Sequence, residues 1–255
     1  MNYSFYKPIQ IVLNFIYISI FQIDLNEHKR LSEYKSLQEL FTRKLNPSVV
    51  RFNKNKNEII SPVDGVLTYC DVVKKKTLFQ IKGKEYALRQ LLSDKVASLD
   101  RLKGGVYFNL YLSPKNYHHY HAPYDLKIRK AIFMPGKCYP VSRFFLKLKN
   151  NVFVENKRAI LECEINKKIL YMVFIGAFNV GKICFNFDKN IEELTEQKII
   201  NYNKPIVIMK GENLGHFKLG STVVMIFEKG FLTSSKKAAE KIRFGEVLGV
   251  KNGKI

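Results

Sequence analysis

The run Val223-Val224-Met225-Ile226-Phe227 is apolar throughout and rich in β-branched residues. A short run of this kind, entered through glycines, fits a buried strand. The approach to it is Gly211-Glu212-Asn213-Leu214-Gly215-His216-Phe217-Lys218-Leu219-Gly220-Ser221-Thr222. Glycines at 211, 215 and 220 suit tight backbone turns. Gly220-Ser221 therefore falls at a loop-to-strand junction. A glycine before a serine leaves the peptide carbonyl sterically open. The hydroxyl can attack it if a base lies near. Taken alone, Gly220-Ser221-Thr222 also describes an ordinary turn opening a strand.

The 255 residues carry 43 lysines and arginines against 22 acidic residues, a formal net charge of +21. Such an excess points to a polyanionic partner, either nucleic acid or an anionic membrane surface. A lysine-rich composition by itself explains part of it. Cys70, Cys138, Cys163 and Cys184 form no C-x-x-C pair. Reduced thiols fit them better than a metal knuckle or a disulfide framework.

From Pro8 to Ile23 there are 16 residues without a charge. As a helix they rise about 24 Å, short of the roughly 20 residues of a comfortable span. Lys7 precedes the segment and Lys29-Arg30 follow it. A helix lying on an anionic membrane is expected, with a helix packed on the domain as the other reading. Residues 31–46 repeat apolar side chains at helical spacing, with Ser32 as the expected cap and Pro47 as the stop. Ile59-Ile60-Ser61-Pro62-Val63-Asp64-Gly65-Val66-Leu67 reads as strand, turn, strand, with Asp64 in the turn. Val106 to Leu112 is a buried strand. It delivers Ser113-Pro114-Lys115-Asn116-Tyr117-His118-His119-Tyr120-His121-Ala122-Pro123 as a loop. Three histidines in four positions allow a metal site, core packing or acid–base chemistry. No cysteine or His-Glu-x-x-His helix stands nearby to complete a zinc site. His118 and His121 face together if one local turn separates them. Residues 185–204 are polar and read as an exposed loop. No G-x-G-x-x-G or P-loop is present.

Taken in order, these segments resemble the bacterial phosphatidylserine decarboxylases. The shared pieces are Phe41-Thr42-Arg43, Ser61-Pro62-Val63-Asp64-Gly65, Leu112-Ser113-Pro114 with Tyr117-His118 and His121, Gly176-Ala177 with Val180-Gly181, and Leu219-Gly220-Ser221-Thr222. The resemblance implies a proenzyme cut between Gly220 and Ser221 into a β chain, 1–220, and an α chain, 221–255, which remain together as a heterodimer. It implies a triad of Asp64, His121 and Ser221 for the cut, and a decarboxylation role for His118. His119 receives no role. It also implies that Ser221 becomes a covalent pyruvoyl (pyruvate-derived) cofactor, with no metal.

The expected fold is mainly β (α+β). It is a single β-sandwich or barrel-like domain, 48–255, preceded by N-terminal amphipathic helices in 1–47. The expected substrate is phosphatidylserine, decarboxylated to phosphatidylethanolamine at the cytoplasmic side of the cell membrane by a peripheral enzyme. A higher oligomer is compatible with the chain. A pyruvoyl enzyme for another amino acid is the nearest alternative. A basic nucleic-acid-binding β-domain leaves the ordered Asp, His and Gly-Ser set unexplained, so no nucleic acid is expected as partner. A small carrier domain lacks a suitable lysine hairpin.

Overall fold

The computed structural model describes residues 5–74, 77–81, 84–94, 96, 99–177, 182–218 and 221–253, with the side chains of 77–81, 84 and 143 excepted. Leu219, Gly220 and Val180-Gly181, all quoted above, lie outside the described residues.

Eight antiparallel strands build one large sheet. Across it the order is Lys198–Ile208, Leu126–Met134, Arg158–Ile165, Lys168–Gly176, Ser221–Phe227, Val106–Leu112, Gly65–Val72 and Glu240–Ile242. The Ser221–Phe227 strand is central and pairs on both sides, and all its residues are buried. Successive side chains point to opposite faces. Val223, Met225 and Phe227 enter one hydrophobic cluster; Val224 and Ile226 enter another. Burial on both faces favours apolar residues at successive positions, which is the pattern from Val223 to Phe227; Ser221 and Thr222 are the buried polar exceptions at its start.

Different elements cover the two faces. On the Val223 side lie two three-stranded sheets: Ile183–Phe185, Asn213–Phe217 and His119–His121, and then Glu58–Ile60, Val247–Lys251 and Leu232–Thr233. Tyr120, Phe185, Phe217 and Leu248 bring their side chains to that cluster. On the Val224 side, short helices at Leu88–Leu92, Arg143–Leu148 and Val152–Glu155 bury Leu88, Leu91, Leu146 and Phe153.

The expected sandwich or barrel-like, mainly β domain is corrected by this arrangement. The large sheet is open: its end strands, Lys198–Ile208 and Glu240–Ile242, have one neighbour each in it. The fold is mixed α/β around a sheet neither closed nor strongly curled. Helices hide the second face, so the sheet has no need to close on itself to bury it.

Three local readings also change. Residues 31–46 break into a 3₁₀ turn, Leu31–Glu33, and a short helix, Leu37–Phe41; Ser36 rather than Ser32 caps the latter, accepting from the Glu39 N–H at 3.1 Å. The polar stretch 185–204 holds a 3₁₀ turn, Lys189–Glu193, and most of an 11-residue edge strand. Half-exposed strand residues interspersed with lysine and asparagine read as loop in sequence, and edge lysines discourage edge-to-edge pairing. The Asp64-Gly65 turn joins no hairpin, since Glu58–Ile60 pairs with Val247–Lys251 and Gly65–Val72 with Val106–Leu112.

Candidate active site

Sheet register gathers the motifs. Ser221 stands opposite Leu112 on one side and Gly176 on the other. Leu112 leads into Ser113-Pro114 and the histidines, and Val66 pairs with Tyr111, which sets Asp64-Gly65 at the same end. Antiparallel neighbours begin and end at a common edge. Four segments far apart in sequence thus meet at one end of four adjacent strands. Gly65 is required there, because a Cβ would stand 2.2 Å from the Tyr111 carbonyl oxygen.

His121 lies at the end of a three-residue strand, not in the loop expected between the prolines. Its Nδ1–H donates to the Gly211 carbonyl at 2.8 Å, and its Nε2 accepts the Tyr117 hydroxyl at 3.0 Å. The ring stacks on Phe244, centroids 3.7 Å apart. Burial lowers its pKa to about 4, against the pull of the Gly211 carbonyl. Gly211 has φ +82°, and a Cβ on it would meet the Phe52 ring at 1.9 Å. Only glycine holds that carbonyl in place.

Asp64 Oδ1 accepts from Arg51 Nη1 at 2.7 Å and from the Phe244 N–H at 2.7 Å. Burial raises its carboxyl above the usual value, and Arg51 with the Phe244 N–H opposes this. Arg51 also pairs with Glu27, which takes Arg243 as well. Among the described residues no hydrogen bond joins Asp64 directly to His121. Phe244 links them, its backbone held by Asp64 and its ring lying on the imidazole.

His118 occupies separate surroundings from His121. It is fully buried, its Nδ1–H donates to the Asn116 carbonyl at 2.8 Å, and its ring packs on Phe41 at 3.9 Å. Nε2 has no partner among the described residues. Burial first, then Arg43, lowers its pKa to about 3. His119 ties two segments together: it donates to the Thr42 carbonyl and accepts from the Asn213 side chain. Ser221 is fully buried, and its Oγ has no hydrogen-bond partner among the described residues. The same residues hold no cluster of three or more His, Cys, Asp or Glu able to bind a metal ion.

A cavity of about 630 Å³ opens beside this cluster. Asp64, Tyr117, Arg51 and Arg43 line it, and it reaches Gln22, just past the N-terminal helix Lys7–Phe21. Arg51, Phe244 and the Gly211 carbonyl were not legible as site residues. Each acts through a backbone group or a long-range pairing that no local spacing marks.

All five histidines have lowered pKa values: His28, His121 and His216 to about 4, His118 to about 3, and His119 by direction. Burial is the leading cause for each. Unfolding restores a value near 6.5. The unfolded chain then binds protons that the folded one excludes. Stability from these rings is complete above pH 6.5 and falls as pH drops toward 4, on the order of 1.4 kcal/mol per unit for each well-buried ring. The melting temperature is expected to fall steeply between pH 6.5 and 4.5. A flat profile over that range, measured by scanning calorimetry, would show that the rings titrate normally.

Residues 37–250 match the family profile of phosphatidylserine decarboxylase. Over 254 residues the chain is 42% identical to a phosphatidylserine decarboxylase proenzyme of Helicobacter pylori strain ATCC 700392 / 26695, covering 97% of this chain and 92% of that protein. It is 42% identical over 252 residues to the proenzyme of that name from Campylobacter jejuni, covering 95% and 92%. A Shewanella loihica proenzyme is 34% identical over 226 residues, covering 85% and 78%. With the profile spanning most of its length and these relatives covering it nearly end to end, the chain belongs to the phosphatidylserine decarboxylase family.

Proposed function

We propose that this chain is the proenzyme of a pyruvoyl-dependent decarboxylase that turns phosphatidylserine into phosphatidylethanolamine and CO₂, matured by its own cleavage between Gly220 and Ser221. The observation that carries the reading is the Ser221 hydroxyl. It is buried, without a hydrogen-bond partner among the described residues, at the register position where the motif segments meet. A buried hydroxyl left without a partner costs free energy. Ser221 opens a strand that is apolar from Val223 to Phe227. Its neighbour Thr222 also lacks a partner among the described residues, but only Ser221 follows the Gly220 carbonyl directly, which fits it as the reacting group.

Maturation uses the chain's own atoms. Ser221 Oγ attacks the Gly220 carbonyl once a base takes its proton, and the peptide becomes an ester. His121 is the proposed base. It is neutral at physiological pH, with Nδ1–H committed to Gly211 and the lone pair on Nε2. For the proton to reach Nε2, the Tyr117 hydroxyl must turn aside or relay it. Asp64 holds Phe244, and Phe244 holds the imidazole plane. Loss of the Ser221 α-proton then expels the Gly220 carboxylate. Addition of water and loss of ammonia leave the pyruvoyl group at the new terminus.

That group supplies a ketone that accepts the electron pair released with CO₂. His118 is proposed to hold or move a proton at Nε2, the one ring nitrogen left free by Asn116. Intact-mass measurement tests the whole reading. A blocked fragment of residues 221–255 is expected beside a 1–220 chain. An active enzyme that stays in one piece would overturn it, as would a fragment bearing a free serine amine.

The N-terminal helix supports peripheral attachment to a membrane. It buries Gln10 and Asn14, which bond to each other at 2.7 Å and onward to the Tyr34 carbonyl at 2.9 Å. Ile9, Val12, Phe15, Ile16 and Ile20 face outward. This reverses the ordinary soluble pattern, and each side chain gains about 1.5–3 kcal/mol once out of water. No helix among the described residues is long and apolar enough to cross a membrane. We place residues 1–47 as the membrane-associating segment and the catalytic domain at 48–255. The cytoplasmic face is proposed because its anionic lipids suit the +21 charge. In liposome flotation, replacing Val12, Phe15 and Ile16 by serine is expected to abolish binding to anionic vesicles. Undiminished flotation would dismiss this helix as the anchor.

A further inference from the structure

Arg43 is an incomplete ion pair. It is 3% exposed, yet among the described residues only its Nη2 has an acceptor, the Lys115 carbonyl at 2.5 Å. Among the described residues Nε and Nη1 are buried with no partner, and no carboxylate lies within ion-pair distance of the guanidinium. Asp64, a carboxylate that acts on it from farther away, is already bonded to Arg51. A buried cation without a counter-charge is costly. The neighbouring cations differ: Arg51 has Asp64 and Glu27, and Arg243 has Glu27.

The position of Arg43 adds to its unpartnered donors. It lines the 630 Å³ cavity together with Asp64, Tyr117 and Gln22. A lipid held by the outward apolar helix would carry its headgroup toward the catalytic cluster through this space.

Resting on the decarboxylase reading above, we infer that Arg43 binds the phosphodiester of the substrate headgroup. Two anions are available in that headgroup, a phosphodiester and a carboxylate. The carboxylate must lose its charge as CO₂ departs. A guanidinium on it would stabilise the ground state over the transition state and slow the reaction. The phosphodiester keeps its charge from substrate to product. A cation there contributes equally throughout, and its loss registers in KM rather than kcat. Arginine suits such an oxyanion better than lysine, since its planar fork offers several donors.

The test compares two substrates in mixed micelles: phosphatidylserine, and a double-chain serine ester lacking phosphate. Wild-type enzyme is expected to favour the first by about 10- to 100-fold in kcat/KM. In Arg43→Gln that preference should collapse to within about threefold, mainly through a higher KM for phosphatidylserine. Arg43→Lys should fall between. Equal losses for both substrates in Arg43→Gln, or a loss confined to kcat, would overturn the assignment. If Arg43→Gln fails to mature, Arg43→Lys carries the test: an undiminished preference in Arg43→Lys, or equal wild-type rates on the two substrates, would overturn the assignment. A wild-type enzyme inactive on phosphatidylserine would instead sink the functional reading.

Discussion

Ser221→Ala is expected to remain a single uncut chain with no decarboxylase activity, even after days of incubation. The side chain loses only an oxygen. The strand keeps its pairing with Leu112 and Gly176, which is a backbone matter. Because Oγ has no hydrogen-bond partner among the described residues, removing it strands no buried donor or acceptor there. Melting temperature should therefore stay the same or rise slightly. This separates a chemical role from a structural one: a polar group kept for the fold would cost stability when deleted. Ser221→Cys is expected to cut slowly, since a thiol can form the corresponding thioester. Cleavage of Ser221→Ala at the same bond, seen by denaturing electrophoresis and mass, would remove Ser221 from the mechanism.

The two histidines should divide the work. His121→Ala is expected to stall as full-length chain, with processing slowed by about 10²- to 10⁴-fold, the usual range for losing a positioned base. Asp64→Ala should stall likewise. It frees the Phe244 N–H and leaves Arg51 half paired, so the imidazole loses the ring that holds it. His118→Ala should process almost normally and lose most decarboxylation. The two rings share no partner: one is held by Asn116 and Phe41, the other by Gly211, Tyr117 and Phe244. Accumulation of uncut His118→Ala would show that the roles are not separable.

Val223 to Phe227 announced a buried strand because burial on two faces favours apolar residues at successive positions. The N-terminal helix was readable for the opposite reason, a charge-free run with helical spacing, and it forms at Lys7–Phe21. Openness of the large sheet was not readable. It depends on which elements cover the second face, and a short helix such as Val152–Glu155 looks like any apolar step. The same limit applies at the site. Resemblance supplied Asp64, His118, His121 and Ser221 as candidates, but not that Asp64 would hold Phe244 and Arg51. Nor did Phe41-Thr42-Arg43 reveal that its arginine lies buried with idle donors. Such facts arise from residues brought together across the fold.

The central place of the Ser221 strand sets the order of events in the molecule's life. Before the cut, the strand inserts between its two neighbours as part of one chain, in a unimolecular folding reaction. After the proposed cut, the same strand belongs to a separate short peptide still paired on both sides. Nothing needs to move for the two pieces to stay assembled. Once unfolded, however, they must find each other again, at a rate set by concentration, and the peptide's apolar run invites aggregation meanwhile. The uncut Ser221→Ala chain should thus refold from denaturant independently of dilution, while the matured enzyme should recover less the more dilute it is. Maturation turns a reversibly folding protein into one that persists only as long as it never comes apart.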